Sequence, residues 1–315
     1  MIDIDNIPPG EFKRIDIEIE RLPSHTLIDM PVFIYKGKSQ GPTLLLTAGI
    51  HGDEINGIAI LRRLIAQKLL HPEAGTVIAI PLVNIYGFLQ GSRTLPDGKD
   101  LNRSFPGAPT GSLGRRIAHI IMSQIVPHID FGVDFHTGGK ALSNFPQVRC
   151  VLDENRNVEL AKAFAPPFIL NSSLIDGSFR KAAAKLGKPI LVYEGGESSR
   201  IDKLSIEEGI AGVMRLMQGL GMVKYDTLPP PVYPTKVLQK TSWLRARSAG
   251  IFQSLVDYGD YVKKGQRLAE ITDPYGSKRI VVKAPHEGYV VGLNNNPVVN
   301  AGDALIHLGY DLLLL

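Results

Sequence analysis

The chain has 315 residues, 44% hydrophobic and 21% charged, so one large folded unit, or a large and a small one, is expected and wholesale disorder is excluded. Its +4 net charge comes from 35 basic and 31 acidic residues scattered along the chain, which gives a nucleic-acid partner little support. A single cysteine, Cys150, excludes an intrachain disulfide and a cysteine zinc cluster.

No apolar run approaches the roughly 20 residues of a membrane-spanning helix. The first residues, Met1 to Asn6, are acidic and lack a signal-peptide core, and Leu312 to Leu315 are too few to span anything. A cytoplasmic protein with no membrane partner is the expectation.

Residues 11–35 alternate charged and apolar positions, as in Ile15-Asp-Ile-Glu-Ile19, which predicts an edge or antiparallel strand. Pro42-Thr-Leu-Leu-Leu-Thr-Ala48 is a continuous apolar run of the kind buried on both faces of a sheet. A glycine turn, Gly49 to Glu54, leads from it to a predicted helix over 58–70. Thr76 to Val83 reads as a second buried strand. Then come a helix near 113–126, a strand at 131–135, a strand near 148–152 and helices near 155–164 and 177–186. A buried strand follows at 189–193 and a long helix over 203–219. Strands alternating with helices predict an α/β domain with a mostly parallel or mixed sheet.

The proline-rich stretch 226–235 reads as a stiff linker. Beyond it Val262-x-x-Gly265-x-x-Leu268-x-x-Ile271 recurs 37 residues later as Val299-x-x-Gly302-x-x-Leu305-x-x-Leu308. Each copy follows a glycine-led strand start, Gly250 or Gly288. Two matching sets of short strands predict a small quasi-symmetric β-sandwich, and the pattern resembles the biotinyl/lipoyl-carrier barrel-sandwich. The expected domains are 1–228, a linker over 229–235, and 236–315.

His51-Gly-Asp-Glu54 follows a buried strand directly, where α/β sheets place their sites. A histidine and a glutamate three apart in one turn can face one point, and imidazole with carboxylate suits zinc. A capping acid and a loop histidine would read the same way in isolation. His136 ends another buried strand, Val133-Asp-Phe-His136, so two strand ends could supply a His₂Glu set with a position left for water. Tyr193-Glu194-Gly-Gly-Glu197 ends a third strand; Glu194 follows the apolar run directly and Glu197 lies beyond two glycines. A strand-end carboxylate can act as a general base or be merely solvated. Arg93, Asp100, Asn102 and Arg103 crowd one Gly/Pro-bounded loop, where guanidinium groups could grip carboxylates and stabilise oxyanions.

In order and wording these segments resemble the succinylglutamate desuccinylase/aspartoacylase family, within the zinc carboxypeptidase-like superfamily. The matching pieces are Gly49-Ile-His-Gly-Asp-Glu54, Asn84 through Arg93, Asp100-Leu-Asn-Arg103, Asp134-Phe-His136 and the Glu194 segment. The resemblance implies a mixed-sheet α/β catalytic domain with the small all-β barrel-sandwich domain behind it. It also implies one Zn²⁺ per chain on His51, Glu54 and His136, with Glu194 as general base and proton shuttle. Arg93 would stabilise the oxyanion, Asn102 and Arg103 would bind a substrate carboxylate, and Asp100 would support His51. The family's later substrate-gripping arginine could be Arg149, Arg180 or Arg200. The tyrosine its C-terminal domain contributes could be Tyr258, Tyr261, Tyr275 or Tyr289.

The expected activity is zinc-dependent hydrolysis of the amide of a small N-acyl amino acid or related amine. A metallocarboxypeptidase acting on short peptides and a non-catalytic scaffold are the alternatives, and a homo-oligomer is compatible with either. Gly37-Lys-Ser39-Gln-Gly41 matches the GxSxG pattern, but Pro42 and a strand follow it, so a turn is expected there rather than a nucleophile elbow. The turn carrying Lys278 lacks the methionine flanks of a modified carrier lysine and is expected to stay unmodified.

Overall fold

A computed structural model of the chain describes residues 4, 6–22 and 24–313. Of the terminal segments noted above, residues 1–3, 5, 314 and 315 lie outside the described residues. The alternating stretch 11–35 forms two strands that pair antiparallel, β1 (Phe12–Arg21) and β2 (Leu27–Lys36). The apolar runs form the parallel centre of the sheet: β3 (Ser39–Ala48), β4 (Ala74–Ile80), β5 (Phe131–Gly138) and β8 (Ile190–Glu197). The turn between β2 and β3 takes Gly37 and Lys38 of the GxSxG match, and Ser39 already begins β3, so strand follows strand there rather than a nucleophile elbow.

Helices cover both faces, which is why the central strands are apolar throughout rather than alternating. On one face α1 (Ile55–Ala66), α4 (Asn155–Phe164) and α6 (Lys203–Gly219) pack with Leu44, Leu46, Phe135 and Tyr193. Gly212 lets α6 lie against Phe164: a Cβ at that glycine would fall 2.0 Å from the ring. On the other face α3 (Leu113–Ile120) and α5 (Phe179–Ala184) pack with Leu45, Ile78 and Ile190.

Three boundaries differ from expectation. Helix α1 starts three residues early because Glu54 is itself its N-cap, and it stops at Gln67 before Lys68 turns left-handed. The predicted helix over 113–126 keeps α geometry only to Ile120 and then widens into a π turn, Ile121–Ile125. The strand expected near 148–152 is β6 (Leu142–Cys150), which passes through Pro146; the register slips between Asn144 and Gln147, so the proline sits in a bulge. Among the short elements that escaped prediction are α2 (Ile85–Gln90) and β7 (Phe168–Asn171).

Residues 236–313 supply eight strands. Four of them, β10 (Gly250–Ser254), β12 (Arg267–Thr272), β13 (Arg279–Lys283) and β15 (Val298–Val299), make a separate sheet. The others, β9 (Lys236–Arg245), β11 (Tyr261–Val262), β14 (Gly288–Asn294) and β16 (Ala304–Leu313), extend the large sheet to twelve strands. The repeat is visible in the pairing: β10 binds β15 from the second copy, and β14 binds β11 from the first. Gly265 and Gly302 take the same left-handed turn in each copy, and Val262, Leu268, Ile271, Val299, Leu305 and Leu308 are all buried between the sheets.

This C-terminal unit is joined to the rest by hydrogen-bonded strands. β9 runs parallel to β7, and β14 pairs with the start of β6, so β6, β7, β9, β16 and β14 close into a ring. Phe145, Phe168, Leu170, Leu238 and Val291 fill it. Truncation after residue 235 should therefore expose both the apolar filling and the edges of β6 and β7, a template for aggregation. The truncated chain is expected in the insoluble fraction on expression; a soluble, protease-resistant 1–235 fragment would contradict the joint core.

Candidate metal centre

Three strand ends of the parallel sheet converge on one cavity of about 280 Å³. From the β3 end come His51 and Glu54, and from β5 comes His136; all three are buried. One ligand atom from each lies within 4.8 Å of the others. His51 Nδ1 is 2.7 Å from Glu54 Oε1, and His136 Nδ1 is 2.9 Å from Glu54 Oε2. The Thr137 backbone N–H donates to Glu54 Oε2 at 3.1 Å, which fixes the carboxylate plane.

Behind the ring nitrogens stand two more acids. Asp100 Oδ1 is 3.1 Å from His51 Nε2, the contact the sequence resemblance implies. Asp134 Oδ2 is 2.7 Å from His136 Nε2, and its other oxygen accepts from Thr47 Oγ1 at 2.8 Å. Asp134 escaped the sequence reading, although the signal was there: residues two apart on a strand share a face, so Asp-x-His places acid and ring side by side. With Nε2–H of each ring donated to its carboxylate, each Nδ1 would be free to take a metal ion.

The field is strongly anionic. Burial alone would favour the neutral imidazole, yet Asp134 and Glu54 hold His136 well above its ordinary pKa. Burial is likewise overcome at His51, raised by Glu54 and Asp100. Burial would also neutralise Glu54, but His51 and His136 keep its carboxyl far below the usual range. Asp100 is held down in the same way, against burial, by His51 and Arg93. Arg93 spans the pair, donating to Glu54 Oε1 at 3.2 Å and Asp100 Oδ2 at 3.0 Å. Three carboxylates beside one guanidinium leave two negative charges to balance when the imidazoles are neutral. A divalent cation fits that demand and this nitrogen–oxygen donor set.

Glu194 reaches the same cavity from the end of β8, where it accepts from Asn144 Nδ2 at 2.8 Å and pairs with Arg149 at 3.4 Å. Glu197 is not beyond a flexible break: β8 continues through both glycines, and Glu197 is occupied by the Ala141 N–H at 2.9 Å and Asn295 Nδ2 at 2.7 Å. Asn102 and Arg103 line the cavity too. Asn102 Oδ1 accepts from the Phe179 N–H at 2.9 Å, and Arg103 Nη1 donates to the Asn102 carbonyl at 2.6 Å.

Of the three arginines left open, Arg149 and Arg180 line the cavity and Arg200 instead pairs with Glu197. Arg180 is buried; its Nη2 donates to Ser172 and Ser173, while Nη1 has no hydrogen-bond partner among the described residues. None of the four candidate tyrosines lines it. Tyr258 and Tyr289 pack on Phe145 and Phe168, Tyr261 on Tyr289, and Tyr275 projects from the exposed turn before Lys278. The C-terminal unit contributes Trp243 instead, held flat against His307 with ring centroids 4.6 Å apart. Burial and the nearby Arg149 charge push His307 down to about 3, so this stack is between neutral rings at physiological pH. Trp243 and Asn144 carried no local motif; only strand pairing brings them here.

Comparison with known proteins agrees with this geometry. The succinylglutamate desuccinylase/aspartoacylase catalytic-domain family model matches residues 40–220. The N-alpha-acetyl-L-2,4-diaminobutyric acid deacetylase of Halomonas elongata is 32% identical over 290 residues, covering 88% of this chain and 84% of that protein. Among solved structures, the product-bound ectoine utilization protein of Ruegeria pomeroyi superposes with a TM-score of 0.82 at 25% identity, covering 97% of this chain and 98% of the other. An aspartoacylase family protein from Mesorhizobium loti gives 0.83 at 26% identity, with 99% and 98% covered.

Proposed function

The chain belongs to the succinylglutamate desuccinylase/aspartoacylase family, and from that premise we propose that it is a zinc-dependent deacylase that hydrolyses the amide bond of a small N-acyl amino acid or related N-acyl amine. The observation that carries this reading is the meeting of His51, Glu54 and His136 with Glu194 in one arginine-lined cavity. His51, Glu54 and His136 would hold the metal. A bound zinc ion supplies Lewis acidity, lowering the pKa of water from 15.7 toward about 7 and polarising a carbonyl. Glu194 takes a proton from the attacking water and returns it to the leaving nitrogen. Arg93, anchored by Glu54 and Asp100, faces the oxyanion that develops. No covalent enzyme intermediate is needed.

Substrate binding falls to the remaining cations. Arg180, whose buried Nη1 has no hydrogen-bond partner among the described residues, and Arg103 both line the cavity, and a carboxylate is the group their guanidiniums would pair with. Trp243 bounds the cavity on the C-terminal side, which favours a compact substrate over a peptide. The superfamily assignment and the carrier-like reading of residues 236–315 belong to the same proposal, supported by the strand-end site and the paired repeat. An amine-release assay of the zinc-loaded protein should be run over acetyl-, succinyl- and formyl-amino acids, their α-amides, Nα-acetyl-2,4-diaminobutyrate and short peptides. Turnover of free-acid N-acyl amino acids, with α-amides poorer, is expected. Faster cleavage of C-terminal peptide bonds would transfer the protein to the carboxypeptidase reading, and no turnover of any member would favour the scaffold.

A further inference from the structure

Resting on the reading of Glu194 as the base, we infer that Asn144 and Arg149, both on β6, are positioning residues that hold the Glu194 carboxylate by its two oxygens. Asn144 Nδ2 donates to Oε2 at 2.8 Å, and Arg149 Nη1 lies 3.4 Å from Oε1. Each oxygen keeps a second lone pair for the transferred proton, while rotation of the carboxylate is restrained. A base aimed this way does not spend part of its time turned from the water it must deprotonate, and a 1 Å misplacement can cost about 10²-fold in rate.

The backbone explains why two residues five apart can reach one group. On a regular strand positions 144 and 149 would point to opposite faces. The register slip between Asn144 and Gln147 reverses that: Asn144 lies opposite Gly196, Gln147 opposite Glu194 and Arg149 opposite Val192. Residues 192, 194 and 196 alternate by two, so the bulge brings Asn144 onto the face that carries Glu194 and Arg149. Re-aiming a side chain beside a site is a recurrent use of a bulge.

The C-terminal unit secures this arrangement. Asn144 is buried where β8, β6 and β14 meet, with Gly292 of β14 as its backbone partner. A Cβ at position 292 would fall 2.8 Å from Asn144 Oδ1, so the missing side chain leaves the amide its place. Gln147 Nε2 donates to the Val291 carbonyl at 2.9 Å, and Asn295 Nδ2 donates to Ser143 Oγ at 2.7 Å. The strands after the proline-rich segment thus brace the strand that braces the base.

The test is steady-state kinetics and metal content of Asn144→Ala, Asn144→Asp and Arg149→Gln, each alone and combined with Glu194→Gln, using the N-acyl amino acid turned over fastest in the panel above. Loss of an outer partner predicts about a 10- to 100-fold fall in kcat. KM should stay within about 2-fold, because the contact is to the base and not to the substrate. Asn144→Asp preserves the shape but sets a second carboxylate against Glu194, and should fall further than Asn144→Ala. In the Glu194→Gln background the same substitutions should cost little more, since groups that act as a unit are non-additive. Full kcat in Asn144→Ala and Arg149→Gln, or an undiminished loss in the Glu194→Gln background, would overturn the inference while leaving the deacylase reading intact. Near-normal turnover of Glu194→Gln itself would instead remove the reading on which it rests. Should the buried Asn144 variants fail to fold, Arg149→Gln, whose side chain is 27% exposed, carries the test.

Discussion

On the proposed zinc site, His136→Ala should release the metal and abolish turnover together. His136 supplies one of three converging ligand atoms, from the end of a strand buried on both faces, and no other histidine lines the cavity except His51. Two remaining ligands hold zinc far more weakly than three, so occupancy after dialysis should fall from one per chain to near zero. The loss should exceed the roughly 10- to 100-fold expected when only an outer partner goes, as in Asp134→Asn. Protons and metal compete for the same Nδ1 atoms, and both imidazoles are held above their ordinary pKa. Wild-type occupancy should therefore decline as pH drops through that raised range. Elemental analysis at several pH values measures both effects; full occupancy in His136→Ala would remove His136 from the ligand set.

The parts of this site that sit at strand ends were legible in the sequence, for a physical reason. A buried strand announces itself as an apolar run, and the residue just past it is delivered to the edge of the sheet. His136 and Glu194 close apolar runs, and His51 and Glu54 sit in the turn that follows one, so four side chains scattered over 144 residues could be placed together without coordinates. Asp100 was legible only through resemblance, because its loop has no periodicity of its own. Asn144 and Trp243 were not legible at all. Each reaches the cavity through a pairing that depends on the closed ring of β6, β7, β9, β16 and β14, and Pro146 concealed the strand that carries Asn144. The repeat gave the pairing of short strands in the C-terminal unit, but not that β9 and β14 would continue the large sheet. A proline-rich segment marks where a chain stops being regular; it carries no information about whether the next strand returns to the same sheet.

Glu194→Gln should leave metal content and fold unchanged and lower kcat by about 10²–10⁴-fold, the usual cost of losing a general base. The substitution keeps the size of the side chain, and the amide oxygen can still accept from Asn144, so the site keeps its shape. What disappears is the carboxylate that receives the proton. Glu197→Gln provides the contrast three residues along the same strand. Glu197 lies outside the cavity, and its oxygens already serve the Ala141 N–H and Asn295 Nδ2. An amide there keeps one acceptor but turns an N–H₂ toward a donor, which should cost about 1–3 kcal/mol of stability and little of kcat. The two variants therefore separate along different axes, one chiefly in rate, the other in melting temperature at nearly constant rate. If Glu197→Gln proved the slower variant at equal metal content, the role of base would pass from Glu194 to Glu197.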